Sequence, residues 1–309
     1  MTVNSARVPI RLVLFDAFDT LVRPTTAPHL QYAEAARQHG LEVDDQDVKS
    51  AFRQAFKETS RQHPNYGLET SIASPDQWWD LVIRRTFSPE FHPRLYKVDS
   101  SSSRARIEDR IAPLSQSLVE RFGTSKAYTL FDDVIPTLQS LSSSPDTNAA
   151  NTHLRLGLAT NSDSRILSVL KGFGLDQFLD LTPSDNPGLG PTLSYFEKVA
   201  KPDPRFFAAA IGRNPPSSRA GSDETKTTEP LRPENVLYVG DQLYEDFWGA
   251  TDAGLQALWL HRPSNSESNQ PYQDATANHN NSEDQEFARQ RTIQSLTEVV
   301  DYVRRSNRL

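Results

Sequence analysis

The sequence predicts an α/β fold in which a doubly wound parallel sheet carries an inserted α-helical subdomain. Two observations support this prediction. Strand-length apolar runs alternate with helical patterns over much of the chain, and one long stretch after the first run shows helical periodicity alone. A chain of 309 residues is long enough to bury the core of such a fold.

Four apolar runs have the length of buried strands, and turn or polar residues follow each of them. They occupy residues 10–15, 154–159, 235–239 and 257–260. Because helical patterns lie between them, we expect a Rossmann-like parallel sheet covered on both faces. Functional side chains in such a sheet gather beyond the carboxyl ends of the strands.

The helical subdomain is predicted from residues 25–129, where no convincing buried strand is found. Apolar side chains recur at helical spacing in residues 31–39, 46–62, 75–86 and 106–122. We therefore expect a core of residues 1–24 and 130–309, with residues 25–129 as the insertion. The adjacent Trp78 and Trp79 are expected to pack inside the subdomain or against the core.

Polar composition and periodicity assign the remaining segments. Ser, Asn, Thr, Asp and Pro dominate three stretches that we predict as loops, residues 142–152, 214–233 and 263–284. An amphipathic pattern predicts a final helix over residues 293–303 that docks on the core.

Composition argues against several classes of function. The net charge is −7 and no run of Lys and Arg could follow nucleic-acid phosphates, so no nucleic-acid partner is expected. The absence of cysteine excludes disulfides, thiolate catalysis and Cys-bound zinc. The apolar segment at residues 8–15 is too short for a signal or membrane helix. We therefore expect an intracellular protein of the cytoplasm or nucleus, without a membrane partner.

The first candidate functional residue is Asp16, which directly follows the apolar residues 12–15. A carboxylate at a strand end can be a nucleophile, as in aspartyl-phosphate chemistry, or a ligand for a hard cation. Taken alone, Asp16 could equally be a turn or capping residue.

The second candidate is the pair Thr160 and Asn161, at the end of the second apolar run. A small hydroxyl and an amide at this position could donate hydrogen bonds to phosphate oxygens. The alternative is an ordinary strand-to-helix turn capped by Asn161, Ser162 or Asp163.

The third candidate is Lys201, which precedes a predicted helix over residues 205–211 in the sequence Lys-Pro-Asp-Pro. A lysine held there can neutralise an aspartate and a bound phosphate. The alternatives are a solvated lysine before a Pro-initiated helix, or Lys198 in the same role.

The fourth candidate is Gly240-Asp241 at the end of the third apolar run, with Asp246 about a helical turn further on. Gly240 permits close approach of the backbone. Two carboxylates in this arrangement, joined by Asp16, suit Mg²⁺. An isolated Gly-Asp pair would indicate only a turn.

The four motifs together, in this order, resemble those of the haloacid dehalogenase-like hydrolase superfamily, over about Val8 to Arg262. That superfamily has a nucleophilic Asp, a Ser or Thr, a Lys and a Gly-Asp acidic motif in the same sequence, and residues 25–129 look like its cap subdomain. Asp-Ala-Phe-Asp-Thr-Leu at residues 16–21 and Gln-Trp-Trp at residues 77–79 are similar to the subgroup around haloacid dehalogenase-like hydrolase domain-containing protein 3.

The resemblance implies Mg²⁺-dependent hydrolysis of a small phosphorylated molecule. Asp16 would attack phosphorus, while Thr160, the Asn161 backbone and Lys201 would hold the phosphoryl group. The metal ligands implied are Asp16, the Phe18 backbone oxygen, Asp241 and, in support, Asp246.

The first motif departs from that of the family's phosphatases, which place a second Asp two residues after the nucleophile. This position is Phe18 here. General acid–base help is worth about 10²–10⁴-fold, so we expect slow turnover. Asp19 could substitute, although in an extended segment a shift of one residue points the side chain the other way.

Two other functions stay open at this stage. A binding or regulatory protein could keep the phosphate-and-metal pocket and turn over slowly, which Phe18 favours. An aromatic residue at this position also resembles the 2-haloacid dehalogenases, but those enzymes do not need the acidic motif at Gly240-Asp241. The sequence leaves the oligomeric state open.

Overall fold

A computed structural model describes residues 8–97, 101–143, 154–183, 190–214, 230–263, 279 and 281–307, with backbone alone at 101–103. The chain divides into two compact units. The core unit comprises Met1–Val22, Leu130–Asn161 and Gly174–Leu309, and the helical unit comprises Arg23–Thr129 and Ser162–Phe173.

The core unit contains a six-stranded parallel sheet. The strands of the chain are β1 (Leu12–Phe15), β2 (Val22–Pro24), β3 (Tyr128–Leu130), β4 (Arg155–Thr160), β5 (Thr192–Leu193), β6 (Val236–Gly240), β7 (Gln256–Leu260) and β8 (Thr292–Ile293). The sheet has the order β5–β4–β1–β6–β7–β8, and β2 pairs with β3 in a separate two-stranded sheet. The predicted α/β fold with a parallel sheet is confirmed.

Helices account for most of the remaining described residues. They are α1 (Pro28–Gln38), α2 (Asp45–Gln62), α3 (Pro75–Thr86), α4 (Ser101–Phe122), α5 (Val134–Ser142), α6 (Arg165–Gly172), α7 (Ser194–Glu197), α8 (Pro204–Gly212), α9 (Gly249–Asp252), α10 (Ser282–Gln290) and α11 (Thr297–Asn307). A π-helical segment, Leu243–Trp248, follows β6. Over the ranges that can be described, no helix is both long and apolar enough to cross a bilayer.

Some predicted boundaries were wrong. The final helix begins at Thr297, because Ile293 instead pairs in β8 with Leu260 of β7. The predicted loop 263–284 ends too late, since α10 begins at Ser282 and Asn281 caps it by accepting a hydrogen bond from the Asp284 amide. Most of that loop and of the loops predicted at 142–152 and 214–233 lies outside the described residues. The strands β5 and β8 have two residues each, too few for a periodic pattern.

The central strands are buried on both faces of the sheet. All four residues of β1 and the first four of β6 are fully buried, and successive side chains of a strand point to opposite faces. On one face, Leu12, Leu14 and Tyr238 pack with Phe206 and Phe207 of α8. A sheet covered in this way places its functional groups at the strand ends.

The helical unit has its own apolar core. Tyr32 of α1 lies with its ring 5.0 Å from that of Phe52 in α2 and 5.5 Å from that of Phe122 in α4. Asp44 caps α2 by accepting hydrogen bonds from two amides, and Ser74 caps α3 by accepting one from the Gln77 amide. Side-chain packing across these helices therefore stabilises the unit.

A buried ion pair in the core unit holds the turn after β1. Arg262 donates to both carboxylate oxygens of Asp133 at 2.9 Å and to the Thr20 carbonyl at 2.9 Å. Asp133 also accepts hydrogen bonds from the Ser295 hydroxyl and the Leu296 amide, each 2.8 Å long. Burial alone would raise the pKa of Asp133, but the bonds from Arg262, Leu296 and Ser295 outweigh it and hold the pKa below its ordinary value.

We expect Asp133→Asn to lower the free energy of unfolding at pH 7 by about 2–3 kcal/mol, because Arg262 loses its charged partner in a buried setting. Folding lowers the pKa of this carboxylate, so its contribution to stability is fully present at pH values above the unfolded pKa of about 3.9. The contribution is lost as the pH falls through the lower pKa of the folded state. Urea unfolding at pH 7 and at successively lower pH measures both effects. Equal differences between wild type and variant at every pH would contradict the prediction. Glu286→Gln, which removes an exposed pair with Arg289, is the control and should change little.

Candidate active site

The candidate residues lie at the carboxyl ends of three neighbouring strands. Asp16, Thr160 and Asp241 mark the ends of β1, β4 and β6, and β1 pairs with both of the other strands. The order of the sheet reverses at β1, since β4 and β5 lie on one side of it and β6 to β8 on the other. Parallel sheets bind ligands at such a reversal point.

Lys201 is ion-paired with two carboxylates at once. Its ammonium nitrogen lies 2.6 Å from Asp16 Oδ1 and 2.6 Å from Asp246 Oδ1, and all three side chains are buried. Burial tends to lower the pKa of Lys201, but the charges of Asp16 and Asp246 outweigh it and raise the pKa well above its ordinary value. Lys201 is therefore a permanent cation in this pocket, whereas the rival Lys198 is exposed.

Asp246 lies directly against the backbone of Gly240. A Cβ atom at Gly240 would fall 2.3 Å from Asp246 Cγ, so the position accepts glycine alone. Asp246 Oδ2 accepts a hydrogen bond of 2.9 Å from the Gln242 amide, while its other oxygen binds Lys201. The π-helical segment brings Asp246 back to the strand end, a use of π-helical turns that is frequent at functional sites.

Asp241 completes a cluster of three buried carboxylates. One oxygen from each of Asp16, Asp241 and Asp246 lies within 4.8 Å of the others. Burial, followed by the charges of Asp246, Asp16 and Asp19, raises the pKa of Asp241 well above its ordinary value. Such crowding of oxygen ligands suits a hard divalent cation, which would relieve the repulsion.

Asn161 fixes the backbone of Lys201. Its Oδ1 accepts a hydrogen bond of 2.8 Å from the Lys201 amide, and its Nδ2 donates to the Lys201 carbonyl at 3.1 Å and to Glu245 at 3.0 Å. The Asn161 side chain thus holds protein groups, which leaves its backbone for the predicted contact with a ligand.

The Thr160 hydroxyl is buried and has no hydrogen-bond partner among the residues that can be described. Leaving a buried polar group without a partner costs about 1–3 kcal/mol, so such groups need an explanation. A ligand oxygen at the end of β4 would satisfy the hydroxyl.

The turn after Asp16 differs from the extended segment assumed in the sequence analysis. Leu21 and Val22 both donate hydrogen bonds to the Ala17 carbonyl, and Asp19 has the left-handed φ of 52°. Strand alternation therefore does not apply, and the reason given for turning Asp19 away from the site was wrong. The charge of Asp19 reaches Asp241, as the pKa of Asp241 shows.

The tryptophans of α3 have different surroundings within the helical unit. Trp78 is buried as predicted and donates to the His63 carbonyl. Trp79 is partly exposed, and its indole nitrogen donates a hydrogen bond of 3.0 Å to Asp163 Oδ2. The Arg165 guanidinium carbon lies 5.0 Å from the centroid of the Trp79 ring. Arg165 was not predicted as a site residue, because a basic residue at a helix start carries no specific signal.

Two further residues of the site region were missed from the sequence. The Trp259 indole donates to the Asp241 carbonyl at 2.8 Å, and the Tyr238 hydroxyl donates to the Ala159 carbonyl at 2.6 Å. Both lie inside strands, where a large aromatic residue reads as ordinary core. For Tyr238 the available signal was its hydroxyl group within an otherwise apolar run.

The chain is similar to known proteins over most of its length. The family model of haloacid dehalogenase-like hydrolases matches residues 10–254. Haloacid dehalogenase-like hydrolase domain-containing protein 3 of Homo sapiens is 28% identical over 83% of this chain and 84% of its own length. The rhythmically expressed gene 2 protein of Drosophila melanogaster is 26% identical over 82% of this chain and 84% of its own length.

Solved structures share the fold. The defluorinating L-2-haloacid dehalogenase Rha0230 matches with a TM-score of 0.56 at 19% identity, covering 96% of this chain and 95% of that one. The HAD-hydrolase YfnB from Bacillus subtilis, bound to magnesium, matches with a TM-score of 0.52 at 16% identity, covering 96% and 99%. At these identities the likeness shows the fold alone.

We expect Gly240→Ala to lower the free energy of unfolding by about 1–3 kcal/mol, because the new methyl group would overlap Asp246. Urea unfolding of the purified variant measures the change. Gly212→Ala is the matched control, since a Cβ there meets no atom within 4 Å. Equal stabilities for the two variants would show that the position of the Asp246 side chain does not require glycine at residue 240.

Proposed function

This chain belongs to the haloacid dehalogenase-like hydrolases, and within that family we propose that it hydrolyses phosphoric monoesters through Asp16 with the help of Mg²⁺. The observation that carries the proposal is the Asp16 carboxylate at the sheet's reversal point, ion-paired with a buried lysine and close to two further carboxylates. An aspartate in this setting can form and release a covalent intermediate.

The residues of the pocket fit a divalent cation. Asp16 and Asp241 offer hard oxygen ligands, the Phe18 carbonyl is the predicted third protein ligand, and Asp246 supports the site through Lys201 and Gln242. When bound, Mg²⁺ would neutralise charge on the phosphoryl oxygens and on Asp16.

The protein's own groups would carry out the reaction. Asp16 attacks phosphorus as the bond to the ester oxygen breaks, which gives an aspartyl-phosphate and a leaving alcohol. Lys201 offsets the charge of the carboxylate and the phosphoryl group, and the unpartnered Thr160 hydroxyl donates to a phosphoryl oxygen. Water then hydrolyses the intermediate and regenerates Asp16.

The departure at Phe18 limits the rate in this proposal. No carboxylate stands two residues after Asp16 to protonate the leaving oxygen and to activate water. Asp19 lies within electrostatic range of Asp241, so it remains a predicted substitute. In this proposal the binding of phosphate and metal uses the Phe18 backbone carbonyl and not its side chain, whereas turnover depends on the side chain at this position.

We also propose that the helical unit acts as the family's cap and selects the substrate. Its partly exposed aromatic side chains, Phe56 and Trp79, together with Arg165, are its candidate contacts for a ligand. Substrate selection by this unit is a separate proposal from the chemistry at Asp16, and a panel of phosphate esters addresses both.

We expect hydrolysis of phosphate monoesters to need Mg²⁺ and to fall by at least about 10³-fold in Asp16→Asn, since the nucleophile is lost. Phosphate release from p-nitrophenyl phosphate and a panel of phosphorylated metabolites, with Mg²⁺ or EDTA, measures this. Asp301→Asn, an exposed position on α11, is the control. Activity that survives Asp16→Asn would refute the assignment, and halide release from 2-chloropropionate without metal would favour dehalogenation.

We expect Phe18→Asp to raise kcat by about 10²-fold, because it supplies the missing proton donor and acceptor. Phe18→Asn is the matched control, since an Asn side chain has nearly the shape of Asp but does not ionise. Single-turnover and steady-state phosphate release compare the two variants. An equal rate for both would show that leaving-group protonation is not what limits this enzyme.

A further inference from the structure

Tyr238 places a hydroxyl group in the centre of the sheet. The side chain is fully buried on β6, and its hydroxyl donates a hydrogen bond of 2.6 Å to the Ala159 carbonyl of β4. Ala159 immediately precedes Thr160, whose buried hydroxyl has no hydrogen-bond partner within the described part of the chain. A side chain of one strand thus binds the backbone of a strand two positions away in the sheet.

The bond forms at the level where β1 leaves the sheet. The Arg155 amide at the start of β4 donates a hydrogen bond to the Arg11 carbonyl, just before β1. Backbone groups of successive residues in a strand face its two neighbours in turn. Ala159, four residues after Arg155, therefore faces β1 as well. The pairing of β1 with β4 ends at Phe15, and the Asp16 amide donates to Val239 on the opposite side. The Tyr238 hydroxyl therefore supplies a donor where the strand hydrogen bonds stop.

Tyr238 also lies beside the catalytic lysine. The Lys201 ammonium nitrogen lies 5.5 Å from the centroid of the Tyr238 ring. Burial raises the pKa of the Tyr238 hydroxyl well above its ordinary value, so this group stays a neutral donor. One side chain therefore contacts the strand end that carries Thr160 and the cation that binds Asp16.

We propose that the Tyr238 hydroxyl is a positioning group, which sets the location of the Thr160 hydroxyl and the Lys201 ammonium around a phosphoryl group on Asp16. This inference rests on the proposed phosphatase function. Tyr238 does not touch the reacting atoms itself. It acts through the Ala159 carbonyl and through the interaction of its hydroxyl with Lys201, whose ammonium nitrogen lies 5.5 Å from the ring centroid.

A misplacement of about 1 Å in such a site can cost up to about 10²-fold in rate. Tyr238→Phe removes the hydroxyl, and with it both the bond to Ala159 and the hydrogen-bond interaction with Lys201. It keeps the ring, 5.5 Å from the Lys201 ammonium nitrogen, and its edge-to-face packing against Phe207 at 5.3 Å. The variant is therefore a test of the hydroxyl itself. Substrate binding relies on groups that the substitution leaves in place.

The matched control is Tyr302→Phe. Tyr302 lies on α11 of the same unit, and its hydroxyl donates to Gln256 Oε1 at 3.1 Å, so the control also removes one hydrogen-bonded hydroxyl. Both variants should remain folded by circular dichroism. With p-nitrophenyl phosphate and Mg²⁺, we expect Tyr238→Phe to lower kcat by about tenfold and to change KM by less than about threefold. Tyr302→Phe should match wild type.

A second measurement reports on position without turnover. Beryllium fluoride adds to an aspartate carboxylate as a mimic of aspartyl-phosphate, and ¹⁹F NMR of the adduct senses the donors around each fluorine. We expect Tyr238→Phe to shift the fluorine resonances next to Thr160 and Lys201, while the adduct still forms. Tyr302→Phe should reproduce the wild-type spectrum.

The outcomes separate the two proposals. If wild type forms the adduct, and Tyr238→Phe keeps both its spectrum and its kcat, the positioning inference is wrong and the proposed function stands. Equal losses in Tyr238→Phe and Tyr302→Phe would also overturn it, because they would reflect stability alone. If wild type forms no adduct and hydrolyses no ester, the proposed function fails and the inference fails with it.

Discussion

The Lys201 ammonium binds Asp16 and Asp246 at 2.6 Å each in a crevice where all three groups are buried. Removing charges from water is costly, so the arrangement needs close pairing and further hydrogen bonds. Asn161 supplies them to the Lys201 backbone, and Gln242 supplies one to Asp246. Asp241 adds a third carboxylate, which has no ion pair with the lysine, and the three crowded carboxylates suit a divalent cation.

Much of this site could be predicted from the sequence because its members follow strands. A polar residue that ends or follows an apolar strand lies at the carboxyl end of that strand. Parallel strands have their carboxyl ends at the same edge of the sheet, so the proximity of Asp16, Thr160 and Asp241 could be predicted from the sequence. Lys201 was harder, since its position depends on a turn, and only the resemblance favoured it over Lys198. The boundaries of β5 and β8 could not be predicted, because two-residue strands carry no periodic signal.

Two aromatic residues that contact the strand ends of the site were missed. Trp259 and Tyr238 bind backbone carbonyls with ring or hydroxyl donors from within strands, and a strand pattern records such side chains only as apolar. The backbone path assumed at Asp19 was wrong for a related reason, because the chain turns after β1 where an extended segment was assumed. Local pattern predicts which face a side chain takes only while the backbone stays regular.

The contacts of Arg262 link the first motif to residues that lie beyond the region matched by the family model. The matched region ends at residue 254, yet Arg262, Ser295 and Leu296 meet Asp133, and Arg262 also binds the turn that follows Asp16. A protein shortened to residues 10–254 would lose Arg262 and its hydrogen bond to the Thr20 carbonyl, while keeping Asp16, Thr160, Lys201 and Asp241. In this chain, residues beyond the matched region therefore help to hold the turn that carries the first motif.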